Sequence, residues 1–521
     1  MKKHWERRAY YLTDETILRE PTSLFGRSNH SAEDEKPAPF KFNFMFPPPR
    51  DRRPRRVAEG QDEGMIENLM ELAKKMSASP PVPDSSILSG YTYLGQFIAH
   101  EITFDQVPDP LNATLADYRS PSVDLDSLYG AEPNNRVDNP LYNQKDPDLL
   151  SIGTTLKTKQ LNYAFENDLP RKPDGEAIIG DERNDENLPV AQTHVAFIKF
   201  HNQMVRLLRG QGVPADVVFD QSRQQVIKAF QSIVLDDFLR EIIDRDVLKE
   251  VRERGPAKFK VSEKKELYMP LEFSVAAFRF GHSLVRPTYE WNQYHSTEIV
   301  HAQAPIRELF DQTHFSGLIG RDSEHPPKQN PPKLTSDWVI NWRHFFDFKD
   351  FPMYERPHAR NNANKIDTSF GFDLTKIPGF QHHGLSDDRR LLPARNLLRG
   401  FHLGLMSGEQ VAEALGVTAL APEELQSPDG LAGQTPLWYY ILKEAELKGK
   451  GNQLGKVGST IVAETLVGIV DASQYSIRHD QDWNPPLGRI NPETNKKEIG
   501  MVDMLHFANT VDPIGQHLKS I

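Results

Sequence analysis

The chain has 521 residues, a formal net charge of −11, 38% hydrophobic and 26% charged residues. That is the balance of a soluble globular protein, long enough for one large domain or up to three ordinary ones. The acidic surplus argues against nucleic acid or a membrane surface as a general partner, and cysteine is absent, which excludes disulfides, thiolate catalysis, Cys-ligated zinc, iron–sulfur clusters and thiolate-ligated haem.

Residues 1–85 read as an N-terminal extension, partly extended and Pro-rich, ahead of a domain over 86–521. The start, "MKKHWERRAYYLTDETILRE", is basic but has no apolar core, so a conventional signal peptide is not expected. The expected location is the cytoplasm, or outside the cell by a non-classical route. "FPPPRDRRPRR", Phe46 to Arg56, reads as solvated extended chain. "EGMIENLMELAKKM", Glu63 to Met76, predicts a short amphipathic helix. Helical spacing then recurs in "YLGQFIAHEITFD", from Val195 to Leu208, from Val226 to Ile243, in "PLEFSVAAFRFGHSLVRP" ending near Pro287, and in "GSTIVAETLVGIVDAS". Strand-like alternation is scarce, long loops such as His325 to Lys333 fill the gaps, and no repeat is found. No apolar run approaches the ~20 residues of a transmembrane helix. The expectation is a mainly α single large domain with long loops and little β.

Four stretches carry chemistry. In "YLGQFIAHEITFD" the apolar run holds Gln96 and His100 four residues apart, on one helix face, with Glu101 pointing elsewhere. His282 follows Arg279 by three, so these two also share a face, as do His194 and His201, seven apart. "HEITF" lacks the second His of a zinc-protease helix, and no compact His/Asp cluster replaces it. "GDERNDENLPVAQTH" sets acids and amides before an apolar helix. The helix dipole accounts for Asp185 and Glu186 but not for Arg183, a cation at the unfavourable end. In "RSPSVDLDSLYG", Ser120, Ser122, Asp124 and Asp126 alternate, which suits either a calcium loop or a polar strand edge or turn.

Together these stretches resemble the animal-type haem peroxidases of the peroxidase–cyclooxygenase superfamily. The motifs stand in family order from about Ile87 to Ser473: "LGQFIAHE", "SPSVDLDSLYG", "GDERNDEN…H…FHN", "AFRFGH" and "ARNLLRG". The resemblance implies haem b, with His282 as iron ligand, Asn396 hydrogen-bonded to that ring, and Arg279 and Arg399 facing the propionates. It implies His100 as general base and then acid, Arg183 as the group that stabilises negative charge, and Gln96 as a partner for distal water or a small anion. It also implies calcium held by Glu101, Ser120, Ser122, Asp124 and Asp126.

The departures matter. Family members can join haem through esters to an Asp before the distal His and a Glu after the distal Arg. Here the first is Ala99, so only Glu186 can make such a link, and Asn187 stands where a sulfonium-forming Met can follow. Glu101 replaces the family's calcium-binding Asp. Arg279 stands where fatty-acid-oxidising branches carry a radical-forming Tyr. The expected activity is that of a peroxidase taking hydrogen peroxide and a small reducing substrate such as a phenol, bromide or iodide. The alternatives are a cyclooxygenase-like fatty-acid dioxygenase and a haem-binding protein with vestigial chemistry.

Overall fold

A stacked aromatic pair ties the first of the motif helices to the centre of the molecule. In the computed structural model, Phe97 lies on Phe197 with ring centroids 4.9 Å apart and planes 5° from parallel, and Phe230 meets both rings edge-on. All three are fully buried. Truncating one such ring in a packed core costs about 3–5 kcal/mol.

The structure describes residues 40–46, 63–78, 84–103, 105–106, 116–117, 121–259, 267–297, 299–316, 318–320, 332–354, 357, 359–370, 391–480, 482–492 and 495–520. Among them the architecture is mainly α. The elements that place the site are β1 (Phe40–Asn43), α1 (Glu63–Ala78), α2 (Gly90–Ile102), α3 (Leu188–Gly210), α4 (Val218–Ser232), β2 (Tyr268–Pro270), α5 (Leu392–His402), α6 (Leu437–Lys448) and α7 (Lys456–Ala472). α3 is apolar on nearly every side and is the central helix. It starts sharply because Asn187 caps it, accepting from Val190 N at 3.2 Å, and Pro189 pre-sets the first turn. α7 is buried along most of its length. Strands are short: β1 runs parallel to β2, pairing Lys41 with Tyr268 and Asn43 with Pro270.

Two expected helices are interrupted. The helix predicted from Val226 to Ile243 is continuous but passes through a π turn over Ile233–Phe238. The segment predicted as a helix ending near Pro287 is a π turn over Glu272–Ala276 followed by a 3₁₀ stretch over Ala277–His282. A 3₁₀ turn has three residues, so side chains three apart eclipse. Arg279 and His282 therefore share a face more closely than on an α-helix.

Parts of the expected extension pack on the domain. α1 buries Leu69, Leu72, Ala73 and Met76 and lies against α5. After β1, the N–H groups of Met45 and Phe46 donate to the two carboxylate oxygens of Glu272, at 2.8 and 2.9 Å. Most of the Pro-rich stretch Phe46 to Arg56 and of the loop His325 to Lys333 lies outside the described residues. Among the described residues no helix is long and apolar enough to cross a membrane.

Candidate active site

α2 supplies one wall. It packs against α3, against the short turn Glu182–Asp185 and against the 3₁₀ stretch that ends in His282. Gln96 is half-buried, whereas His100 and Glu101 are buried. Glu101, on a different side of the helix from His100, reaches the loop before Tyr129. Its carboxylate accepts the N–H groups of Asp126 and Ser127 at 3.0 and 3.2 Å.

The segment 181–187 braces this wall with four side chains. Asn184 Oδ1 accepts from His100 Nδ1 at 2.9 Å, and Asn184 Nδ2 donates to His194 Nδ1 at 3.0 Å. Asn187 Nδ2 donates to Gln96 Oε1 at 3.0 Å, while Gln96 Nε2 points to Glu186 Oε2 at 3.4 Å. Arg183 donates from Nη2 to the carbonyls of His100 (2.7 Å) and Thr103 (2.6 Å) and to Asp181 Oδ2 (2.7 Å). Its Nε donates to Asp181 Oδ1 at 3.0 Å. Arg183 thus clamps the C-terminal end of α2. Asp185, read as a dipole-favoured acid before α3, is instead ion-paired to buried Arg171 at 2.7 Å, and the first turn of α3 holds no acid. Burial pushes the His194 imidazole down to about 4, although Asp181 and Asp185 oppose this, so His194 is neutral at ordinary pH.

The second part of the site is the 3₁₀ stretch, which packs against α2, together with α5. His282 Nδ1 lies 3.3 Å from Asn396 Nδ2 on α5, and Asn396 Oδ1 accepts from Arg279 Nη1 at 3.3 Å. Arg399 follows Asn396 by one turn of α5, on the same face. Burial, with the Arg279 and Arg395 charges nearby, pushes His282 down to about 3. The ring is therefore a neutral imidazole, the form that binds a metal. Burial also lowers Arg279, to about 10. The described acceptors of its guanidinium are the neutral Ser274 carbonyl and the Asn396 amide. A Cβ added at Gly281, the residue before His282, would meet nothing within 4 Å. A neutral imidazole with a half-buried cation beside it fits haem iron and a haem carboxylate.

At the loop, ligand atoms of Glu101, Asp124 and Asp126 lie within 4.8 Å of one another. Asp124 Oδ1 is buried without a hydrogen-bond partner. Converging carboxylates with an orphaned oxygen fit a hard divalent cation. Ser122 is buried nearby in sequence, and Ser120 lies outside the described residues. Spacing in the sequence did not show Asn184 as the partner of His100, His194 as the partner of Asn184, or Asn187 as a partner of Gln96. The only signal was the amide-rich run "RNDEN".

The animal haem peroxidase family model matches residues 113–420, more than half of the chain, and the chain belongs to that family. The matched span contains Arg183, His282 and Asn396 and begins after His100. Membership implies a haem cofactor. A "Peroxidase-like protein" of Margaritifera margaritifera is 29% identical over 148 residues, 27% of this chain, which spans 17% of that relative's length. Among solved structures, peroxidase A from Dictyostelium discoideum aligns over 93% of each chain with a TM-score of 0.54 at 16% identity. A palmitic-acid complex of a variant of Oryza sativa fatty acid alpha-dioxygenase aligns over 95% of this chain and 87% of that one, with a TM-score of 0.55 at 14% identity. These likenesses show the fold: a single mainly α domain of the peroxidase–cyclooxygenase type.

Proposed function

We propose that this chain is a haem peroxidase that reduces hydrogen peroxide and oxidises small donors, phenols first among them. One observation carries the reading: His100, with Nδ1 held by Asn184, sits on a helix packed against the segment that presents a half-buried, neutral His282. A haem bound there would supply the redox chemistry, the two-electron reduction of peroxide and the later oxidation of donors.

The chain's own residues would bind and move protons. His282 would ligate the iron through Nε2, which requires its proton on Nδ1. As placed, Asn396 turns Nδ2 to the ring and Oδ1 to Arg279, so serving that form would require the amide turned over, with the Arg279 contact given up. Arg279 and Arg399 would receive the propionates. With a haem bound, His100 Nε2 would accept a proton from hydrogen peroxide and give it back to the oxygen that leaves as water. Arg183 is a cation already fixed by Asp181 and two carbonyls, so it can favour developing negative charge without reorganising. Gln96, its oxygen tied by Asn187, turns its N–H groups toward Glu186, where a distal water or small anion would be bound. Glu186 would be the carboxylate that makes an ester to haem, and Glu101, Ser122, Asp124 and Asp126 would hold calcium beside α2. Arg279, at the place of the radical-forming Tyr, favours the peroxidase over the fatty-acid dioxygenase.

The test is peroxide-dependent oxidation of guaiacol by haem-loaded protein, compared with His100→Ala. Turnover that collapses by roughly 10²-fold or more in the variant supports the reading. Absence of turnover in the wild type, or equal turnover in both, overturns it.

A further inference from the structure

Asn184 is fully buried and makes one hydrogen bond in each direction. We propose that Asn184 sets the tautomer of His100, its amide oxygen keeping the ring proton on Nδ1 so that Nε2 retains the lone pair that takes the peroxide proton, and that His194 sets the sense of the Asn184 amide. The inference rests on the reading of His100 as the distal base.

An amide between two imidazoles has two self-consistent arrangements. In the observed one, His100 Nδ1–H donates to Oδ1, and Nδ2–H donates to the lone pair of His194 Nδ1. In the reverse one, Nδ2 faces His100, which must then accept on Nδ1 and carry its proton on Nε2. The reverse arrangement removes the base from the side where peroxide binds. It also fails once His100 is protonated, because an imidazolium Nδ1–H would face an amide N–H. Only the observed arrangement serves His100 both before and after it takes a proton.

A neutral His194 permits that arrangement, whereas an imidazolium would have to donate from Nδ1 and would force the reverse one. Burial keeps His194 neutral, so its Nδ1 can accept and give Nδ2 a partner. Reversing the amide would demand a proton on His194 Nδ1, and a buried amide left unmatched costs about 1–3 kcal/mol. Asn184 and His194 are thus positioning residues, acting on peroxide through His100.

The probe is hydrogen cyanide and the haem-loaded full-length protein. Hydrogen cyanide gives up its proton on binding ferric iron, so its association rate, followed by the shift of the haem absorption band, reports the distal base without turnover. Asn184→Ala should slow association by roughly 10- to 100-fold, part of the about 10²–10⁴-fold that a general base is worth. Asn184→Asp, whose carboxylate can only accept, should restore a rate within about threefold of wild type. A merely structural Asn184 would lower the melting temperature in Asn184→Ala without slowing cyanide. Slow association in His100→Ala with wild-type rates in Asn184→Ala overturns the inference alone, whereas unslowed association in His100→Ala overturns the reading beneath it. Should Asn184→Ala not fold, His194→Phe removes only the acceptor of Nδ2. Slower cyanide association in that variant supports the proposal, and an unchanged rate overturns it.

Discussion

The Glu101 carboxylate accepts the Asp126 N–H at 3.0 Å, so the residue next to His100 is tied directly to the loop that carries Asp124. Its two oxygens cap the turn Asp126–Tyr129, one taking the Asp126 N–H and the other the Ser127 N–H, while the group stays in the acidic cluster.

If calcium occupies the cluster, Asp124→Ala should lower the melting temperature and perturb the haem spectrum in the same protein. A strong chelator should do the same to the wild type. Identical melting with and without chelator, together with no metal by elemental analysis, would show that the loop is a turn closed by Glu101 alone.

Arg183→Met should destabilise the fold by about 3 kcal/mol, because it removes the guanidinium ion-paired with the buried Asp181 carboxylate. It should also loosen the end of α2 by freeing the carbonyls of His100 and Thr103. Denaturant unfolding measures the first effect and the haem spectrum the second. A loss below about 1 kcal/mol would mean that the clamp is an exposed ion pair of the ordinary weak kind.

Stability should fall as pH rises through neutrality. Burial pushes Glu272 and Glu444 up to about 7, against a usual carboxyl near 4.5. The folded protein then holds protons that the unfolded chain has lost. The contribution is full below about pH 4.5 and disappears as pH passes about 7, a loss on the order of 3 kcal/mol for each group. Glu444 accepts Val457 N at the start of α7, and Glu444→Gln should flatten the decline in melting temperature between about pH 5 and 7. An equally steep decline in the variant would assign the pH dependence elsewhere.

Acid–organic extraction should release at least part of the haem from the wild type and most of it from Glu186→Gln. Haem that stays bound in that variant would mean that another side chain makes the link. With at most one ester and no sulfonium link, the macrocycle should be less distorted and the iron less electron-poor. Phenols, bromide and iodide should then be oxidised readily and chloride poorly. Rapid chloride oxidation at neutral pH contradicts this.

The parts legible in the sequence were those that depend on helical period. Gln96 and His100 four apart, Arg279 and His282 three apart, and the apolar spacing of α3 and α7 all reappear as shared faces or buried helices. What spacing could not show was where the backbone leaves the α form. The π turn at Glu272 answers to its contacts with Met45 and Phe46, more than 200 residues away. The partner of Asp185 was equally hidden, because a helix-dipole argument is local and the Arg171 ion pair is not. Asn184 reads as one amide in a polar run until folding brings His100 and His194 to its two ends.

The central claim is that a haem is bound through His282 with His100 across from it. The direct measurement is the absorption spectrum of the purified full-length protein after haem supplementation, beside His282→Ala. The wild type should show a Soret band of ferric haem, and the variant should lose it or show a clearly altered one. A wild type with no Soret band, or a variant with an unchanged spectrum, would contradict the assignment of His282 as the iron ligand.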